Sequence, residues 1–153
     1  MSLFNPDTLT LREMAGLLRR GVLTSVTLLE FYLQRIAERN RHINALIQLA
    51  PVEELRRQAR EADEMARVGQ ISGPLHGIPI TIKDVLHVRG FKMSRGLGEL
   101  LGEPSEQDAT AVARLRQAGA IILGISNVPE LCMAFETENL VYGRTLNPHD
   151  LQR

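Results

Sequence analysis

The chain has 153 residues, which suits one domain of ordinary size with a modest core. With 44% apolar and 24% charged residues, it has the composition of a soluble globular protein rather than a disordered or fibrous one. Eighteen basic residues balance eighteen acidic ones, so no net field draws the chain to nucleic acid or anionic lipid, and neither is expected as a partner.

At the N-terminus, MSLFNPDTLTLREM lacks the basic start and apolar stretch of a secretory signal. Thr10 followed three residues later by Glu13 has capping-box spacing, and Met14, Leu17 and Leu18 then recur at helical intervals until Gly21. A second helix begins near Thr24 or Ser25, carries the stripe Val26, Leu29, Leu33 and Ile36, and runs out around Asn40. A third covers roughly 52–67 with the stripe Leu55, Ala59, Ala62 and Met65 or Ala66. Its charges sit four apart, as Glu53 with Arg57, Arg57 with Glu61 and Arg60 with Glu64. Such pairs are worth only about 0.2–0.5 kcal/mol each and mark a solvated face. Residues 1–70 are therefore expected as a helical segment.

From residue 71 the pattern changes, and 71–153 reads as the start of an α/β core. GIPITIKD places apolar residues at 78, 80 and 82, the period of two expected of a strand. Residues 90–106 are rich in Gly and read as loop with room for a short strand. Asp108 is expected to cap a helix carrying Val112 and Leu115, closed by Gly119. AIILGI at 120–125 follows as a buried strand, too short to span a bilayer. A strand, helix and strand in that order predict a crossover within a mostly parallel sheet. SNVPEL puts Pro129 at the first turn of a short helix, and the turn-rich VYGRTLNPHDLQR closes the chain. Cys132 is the single cysteine, which excludes an intrachain disulfide and suits a reducing cytoplasm, the expected location.

Lys83 stands out, because lysine is seldom placed against a core strand unless paired or functional. Side chains alternate in a strand, so if Ile78, Ile80 and Ile82 face one side, Thr81 and Lys83 face the other. Lys83 would sit at the carboxyl end of the strand, where open α/β sheets place their ligand crevices. It is either a rim lysine paired with a carboxylate such as Asp84, or a lysine desolvated enough to lose its proton and act as a base. Periodicity leaves both readings open.

The other candidates carry plainer expectations. His42, His76, His87 and His149 have no metal-ligand spacing, so no metal is expected. His76 is expected as a hydrogen-bonded structural residue, Ser126 as a turn or capping serine, Cys132 as a buried small apolar residue and Met133 as core filling. Asp84 either orients Lys83 or ties down the loop after it. Gly143, Arg144 and Asn147 are expected to shape a turn leading toward the site.

Three blocks in order resemble the amidase signature family. They are GPLHGIPITIKD with Gly77, Pro79, Lys83 and Asp84, RLRQAGAIILGISNVPE at 114–130, and ETENLVYGRTLNPHD at 136–150. Together they cover about half the chain. The resemblance implies a mixed, mostly parallel sheet, preceded by helices and belonging to a larger fold. It also implies hydrolysis of carboxylic amides by a serine, a cis-bonded bridging serine and a lysine, with no metal or organic cofactor. The family's lysine maps onto Lys83, the ultimate proton acceptor. The glycine- and serine-rich signature with both serines would begin just past Arg153, so the chain resembles the first third of an amidase and is expected to be inactive alone. The serines at 2, 25, 72, 94, 105 and 126 do not match the family's catalytic positions. Ile125–Ser126 departs from the Lys–Thr that many relatives carry there.

The implied partners are a small-molecule amide and the C-terminal remainder of the domain. An incomplete sheet would also expose an edge and apolar surface that favour a homo-oligomer. Two alternatives stand beside the amidase reading. One is the amidase subunit of a tRNA-dependent amidotransferase, although ETENLVYGRT is worded more like stand-alone amidases. The other is a catalytically silent truncated or split-chain piece that binds or assembles.

Overall fold

A computed structural model describes residues 5–152. Helix α1 (Leu11–Arg19) begins with the expected capping box. Thr10 Oγ1 accepts the Glu13 N–H at 3.3 Å, and Glu13 Oε2 accepts the Thr10 N–H at 2.7 Å. Gly21, at φ +66°, turns the chain into α2 (Ser25–Ile43). The start of α2 is capped twice: Thr24 Oγ1 accepts the Thr27 N–H, and the Asp63 carboxylate reaches across to accept those of Ser25 and Val26 at 2.6 and 3.1 Å. The helix outruns Asn40 and ends at Ile43, with Asn44 left-handed at φ 55°. Asn40 fastens the exit: its Oδ1 accepts the N–H groups of Ala45 and Leu46, and its Nδ2 donates to Leu46 O.

The next element corrects the all-helical expectation for residues 1–70. Leu46–Leu49 form a strand, β1. In LIQL the apolar residues do not alternate cleanly, and a four-residue strand owes its existence to a partner far along the chain. Helix α3 (Val52–Arg67) follows as expected. Arg57 pairs with Glu61 four residues on, but Glu53 pairs with Arg56 at 2.8 Å rather than with Arg57, and Arg57 also binds Glu54 at 2.6 Å. Arg56 reaches Glu30 of α2 at 2.6 Å, fixing the two helices together.

Strand β2 (Pro79–Lys83), helix α4 (Thr110–Gln117) and strand β3 (Ile121–Ser126) form the expected crossover, with β2 and β3 parallel. The sheet order is β1-β3-β2, and β1 runs antiparallel to β3, so the sheet is mixed. Asp108 does not cap α4. Its Oδ1 accepts the Arg89 N–H and its Oδ2 accepts from Arg116 at 2.9 Å, so the carboxylate ties the preceding loop to the helix instead. Residues 90–106 contain a short 3₁₀ turn at Gly98–Leu100 and no strand, and Pro129 immediately precedes a 3₁₀ turn at Glu130–Cys132.

The core lies on both faces of β3. Ile121 and Leu123 pack with Leu29, Leu55 and Ala59 beneath α2 and α3, while Ile122 and Ile125 pack with Ile82, Val88 and Val112 beneath α4. Ile122 and Ile125 are three apart yet share a cluster because the β2–β3 register shifts between Ile80 and Thr81. A third cluster joins Met14, Leu17, Leu18, Leu23 and Leu28 to Ile78. Gly124 and Gly77 permit close approaches. A Cβ on Gly124 would lie 2.2 Å from Gln48 O, and one on Gly77, at φ +71°, would lie 1.8 Å from Ser25 Oγ. No described helix is long and apolar enough to cross a membrane.

Candidate active site

The alternation read from the sequence positions Lys83. Along β2, Ile82 is 4% exposed, whereas Thr81 and Lys83 on the opposite face are exposed. Lys83 closes the strand at its carboxyl end, in register with Ser126 of β3. Because β2 is an edge strand among the described residues, its outer side is unpaired beside Lys83. The ammonium group forms no hydrogen bond or ion pair with another described residue.

Asp84 turns to the other side. Its carboxylate, 1% exposed, accepts the Ser94 N–H at 3.0 Å and the Ser94 hydroxyl at 2.6 Å, and Ser94 Oγ accepts the Gly96 N–H at 3.0 Å. Of its two expected roles, Asp84 therefore performs the second, tying down the loop after the strand. Its own N–H donates to Ser126 O at 3.1 Å, which holds the ends of β2 and β3 in register just beyond Lys83. The Tyr142 phenol is pushed above its usual pKa, first by burial and then by the Asp84 charge, with hydrogen bonding from Ser94 and Gln48 opposing the rise.

A polar latch that sequence reasoning missed fixes the segment crossing this end of the sheet. Asn139 Nδ2 donates to Asn127 Oδ1 at 2.8 Å and to Val128 O at 2.7 Å, and its Oδ1 accepts the N–H groups of Val141 and Tyr142. Asn127 Nδ2 donates to Gly143 O and Thr145 Oγ1, and the Thr145 hydroxyl donates to Asn44 O at 2.6 Å. Both asparagines are 6% exposed, so each lost bond would strand a buried polar group. Gly143, at φ +78°, sits in the turn expected of it, beside Arg144, whose carbonyl accepts from Asn44 Nδ2. Asn147 shapes the next turn by accepting the His149 N–H.

Two expectations in the preceding stretch are overturned. Cys132 is exposed rather than buried, and Met133 is 83% exposed rather than core-filling. Leu131 and Cys132 both adopt left-handed backbone, at φ 49° and 59°, which swings this turn outward, and Phe135 and Leu140 stand fully exposed beyond it. His76 is structural as expected, with Nδ1 against Ser72 and Nε2 2.9 Å from Ala62 O. Ser126 is the last residue of β3, paired with Leu46 and Lys83, rather than the expected turn or capping serine, and its carbonyl accepts the Asp84 N–H. Among the described residues, no group of three or more His, Cys, Asp or Glu side chains is arranged to hold a metal.

The fold is that of an α/β protein with an open-edged mixed sheet and Lys83 at a strand end. Comparison with known proteins narrows that class. The Amidase family model matches residues 27–153. Human fatty-acid amide hydrolase 2 is 35% identical over 92% of this chain and 27% of its own length. A glutamyl-tRNA(Gln) amidotransferase subunit of Roseiflexus sp. (strain RS-1) is 39% identical over 95% of this chain and 29% of its own. Among solved structures, the native peptide amidase from Stenotrophomonas maltophilia superposes with a TM-score of 0.84 at 34% identity, covering 95% of this chain and 31% of that one. The chain belongs to the amidase family, and it spans a little under one third of the length of these relatives.

Proposed function

We propose that this chain supplies the base of an amide hydrolase and that the remaining two thirds of such a domain supply the serines. In this reading Lys83, once covered, gives up its ammonium proton because burial penalises the charged form. The neutral amine accepts a proton from a bridging serine, which takes it from the nucleophilic serine as that oxygen attacks the amide carbonyl. The acyl-enzyme forms, the leaving amine is protonated, and water releases the acid. The observation that carries the proposal is the place of Lys83. Among the described residues it stands at the carboxyl end of an edge strand, exposed and with its ammonium unpartnered, beside the side on which further strands would add.

The test is reconstitution. Expressed separately, the C-terminal two thirds of a related amidase should hydrolyse a simple aryl amide only when this chain is added. Hydrolysis at the same rate without it would reject the reading. A second reading, the amidase subunit of a tRNA-dependent amidotransferase, is supported by the 39% identity to the Roseiflexus protein, which is no lower than that to the hydrolase. Glutamine-dependent transamidation of charged tRNA would favour it. Absence of both activities in every combination would leave the silent-piece reading.

A further inference from the structure

A concavity of about 560 Å³ lies between the end of α1, the start of α2 and the last turns of α3. Its lining includes Arg19, Arg20, Arg60 and Arg67, set against only two acids, Asp63 and Glu64. Both acids are already engaged: Asp63 caps α2 through the Ser25 and Val26 N–H groups, and Glu64 holds Arg67 at 2.6 and 3.0 Å. Arg67 in turn keeps the Glu64 carboxyl below its usual range, so that pair stays neutral overall. Arg19, Arg20 and Arg60 have no carboxylate partner among the described residues. Four arginines against two carboxylates leave the lining with a net of two positive charges, in a chain whose net charge is zero. Leu18 and Leu23, each 4% exposed, and Ala66 give the hollow an apolar floor.

From this arrangement we infer that the hollow binds a phosphate ester carrying two or more phosphates and an apolar body. Guanidinium forks match phosphate oxygens in bidentate geometry, and a net of two positive charges is more than a single monoanion neutralises. The volume exceeds that of one tetrahedral ion and falls in the range of ordinary ligand pockets. The phosphates would lie among the arginines, and the uncharged portion would rest on the leucine floor. This site is independent of the amide-hydrolysis reading and stands or falls without it.

The experiment is calorimetric titration of the 153-residue chain with pyrophosphate and with ATP, using adenosine as the uncharged control. Saturable binding of both anions is expected, tighter for ATP than for pyrophosphate and absent for adenosine. It should weaken by roughly tenfold or more in the Arg20→Ala/Arg60→Ala variant. Arg57→Ala removes an arginine of α3 outside the hollow and should leave binding unchanged. All three arginines are exposed, and circular dichroism checks that each variant folds. No saturable heat, an equal loss in the Arg57 variant, or an effect reproduced by sodium chloride at matched ionic strength would overturn the assignment.

Discussion

Two regions of this molecule treat their apolar side chains in opposite ways. Beneath α2 and α3, Leu28, Leu29 and Leu55 are fully buried, and their partners come from within the described chain. In residues 129–151, Phe135 and Leu140 are fully exposed and Met133 nearly so, while the groups buried beside them are Val128, Asn127 and Asn139. The first region is held by hydrophobic contact and the second by a polar latch with its apolar side chains turned outward. Exposed apolar side chains on a fastened backbone are what an interface offers a partner. Under the proposed function, the rest of the amidase domain covers it.

Mutations sharpen that contrast. Leu29→Ala removes a side chain with no exposure from the α2–α3 core and should cost about 2–5 kcal/mol in urea unfolding. Phe135→Ser should change the unfolding free energy of the isolated chain by less than about 0.5 kcal/mol. The same substitution should weaken reconstitution with a C-terminal portion, read as a higher concentration for half-maximal activity. A large stability loss at Phe135 would mean that the outer region has its own packed core and would erase the contrast.

The smallest expected effect lies on the solvated face of α3. Hydrogen bonds from Arg57 and then Gln58 hold the Glu54 carboxyl down to about 2. Because the folded value lies below the ordinary one near 4.5, its contribution is present above that range and fades as pH falls toward about 2. The group is exposed, so solvent screens the effect and the pH dependence is shallow. Glu54→Gln should flatten only the part of the unfolding profile between the ordinary value near 4.5 and about 2, while leaving the midpoint at neutral pH nearly unchanged.

Most of the scaffold is legible where one local signal suffices. The Thr10–Glu13 box, the 3.6-residue stripes and the Ile78–Ile82 alternation each specify an element without distant information. What escapes depends on residues far apart. β1 exists through pairing with β3, some 75 positions later. The Asn127–Asn139–Thr145 latch closes back onto Asn44, and no spacing rule marks asparagines that far from their partners. Cys132 and Met133 escape for a different reason. Apolar composition is an argument for burial only when something packs over the segment, and here two left-handed residues turn it outward. For the site, the strand end and the face of Lys83 follow from alternation, whereas its chemistry comes only from the family resemblance.

The most direct test replaces that lysine in an enzyme completed by its C-terminal part. Removing a positioned general base costs about 10²–10⁴-fold in rate. Lys83→Ala should therefore lower kcat for a simple amide by at least the lower end of that range, while KM and the assembly of the two portions remain nearly unchanged. Hydrolysis near the wild-type rate by the substituted enzyme would contradict the account.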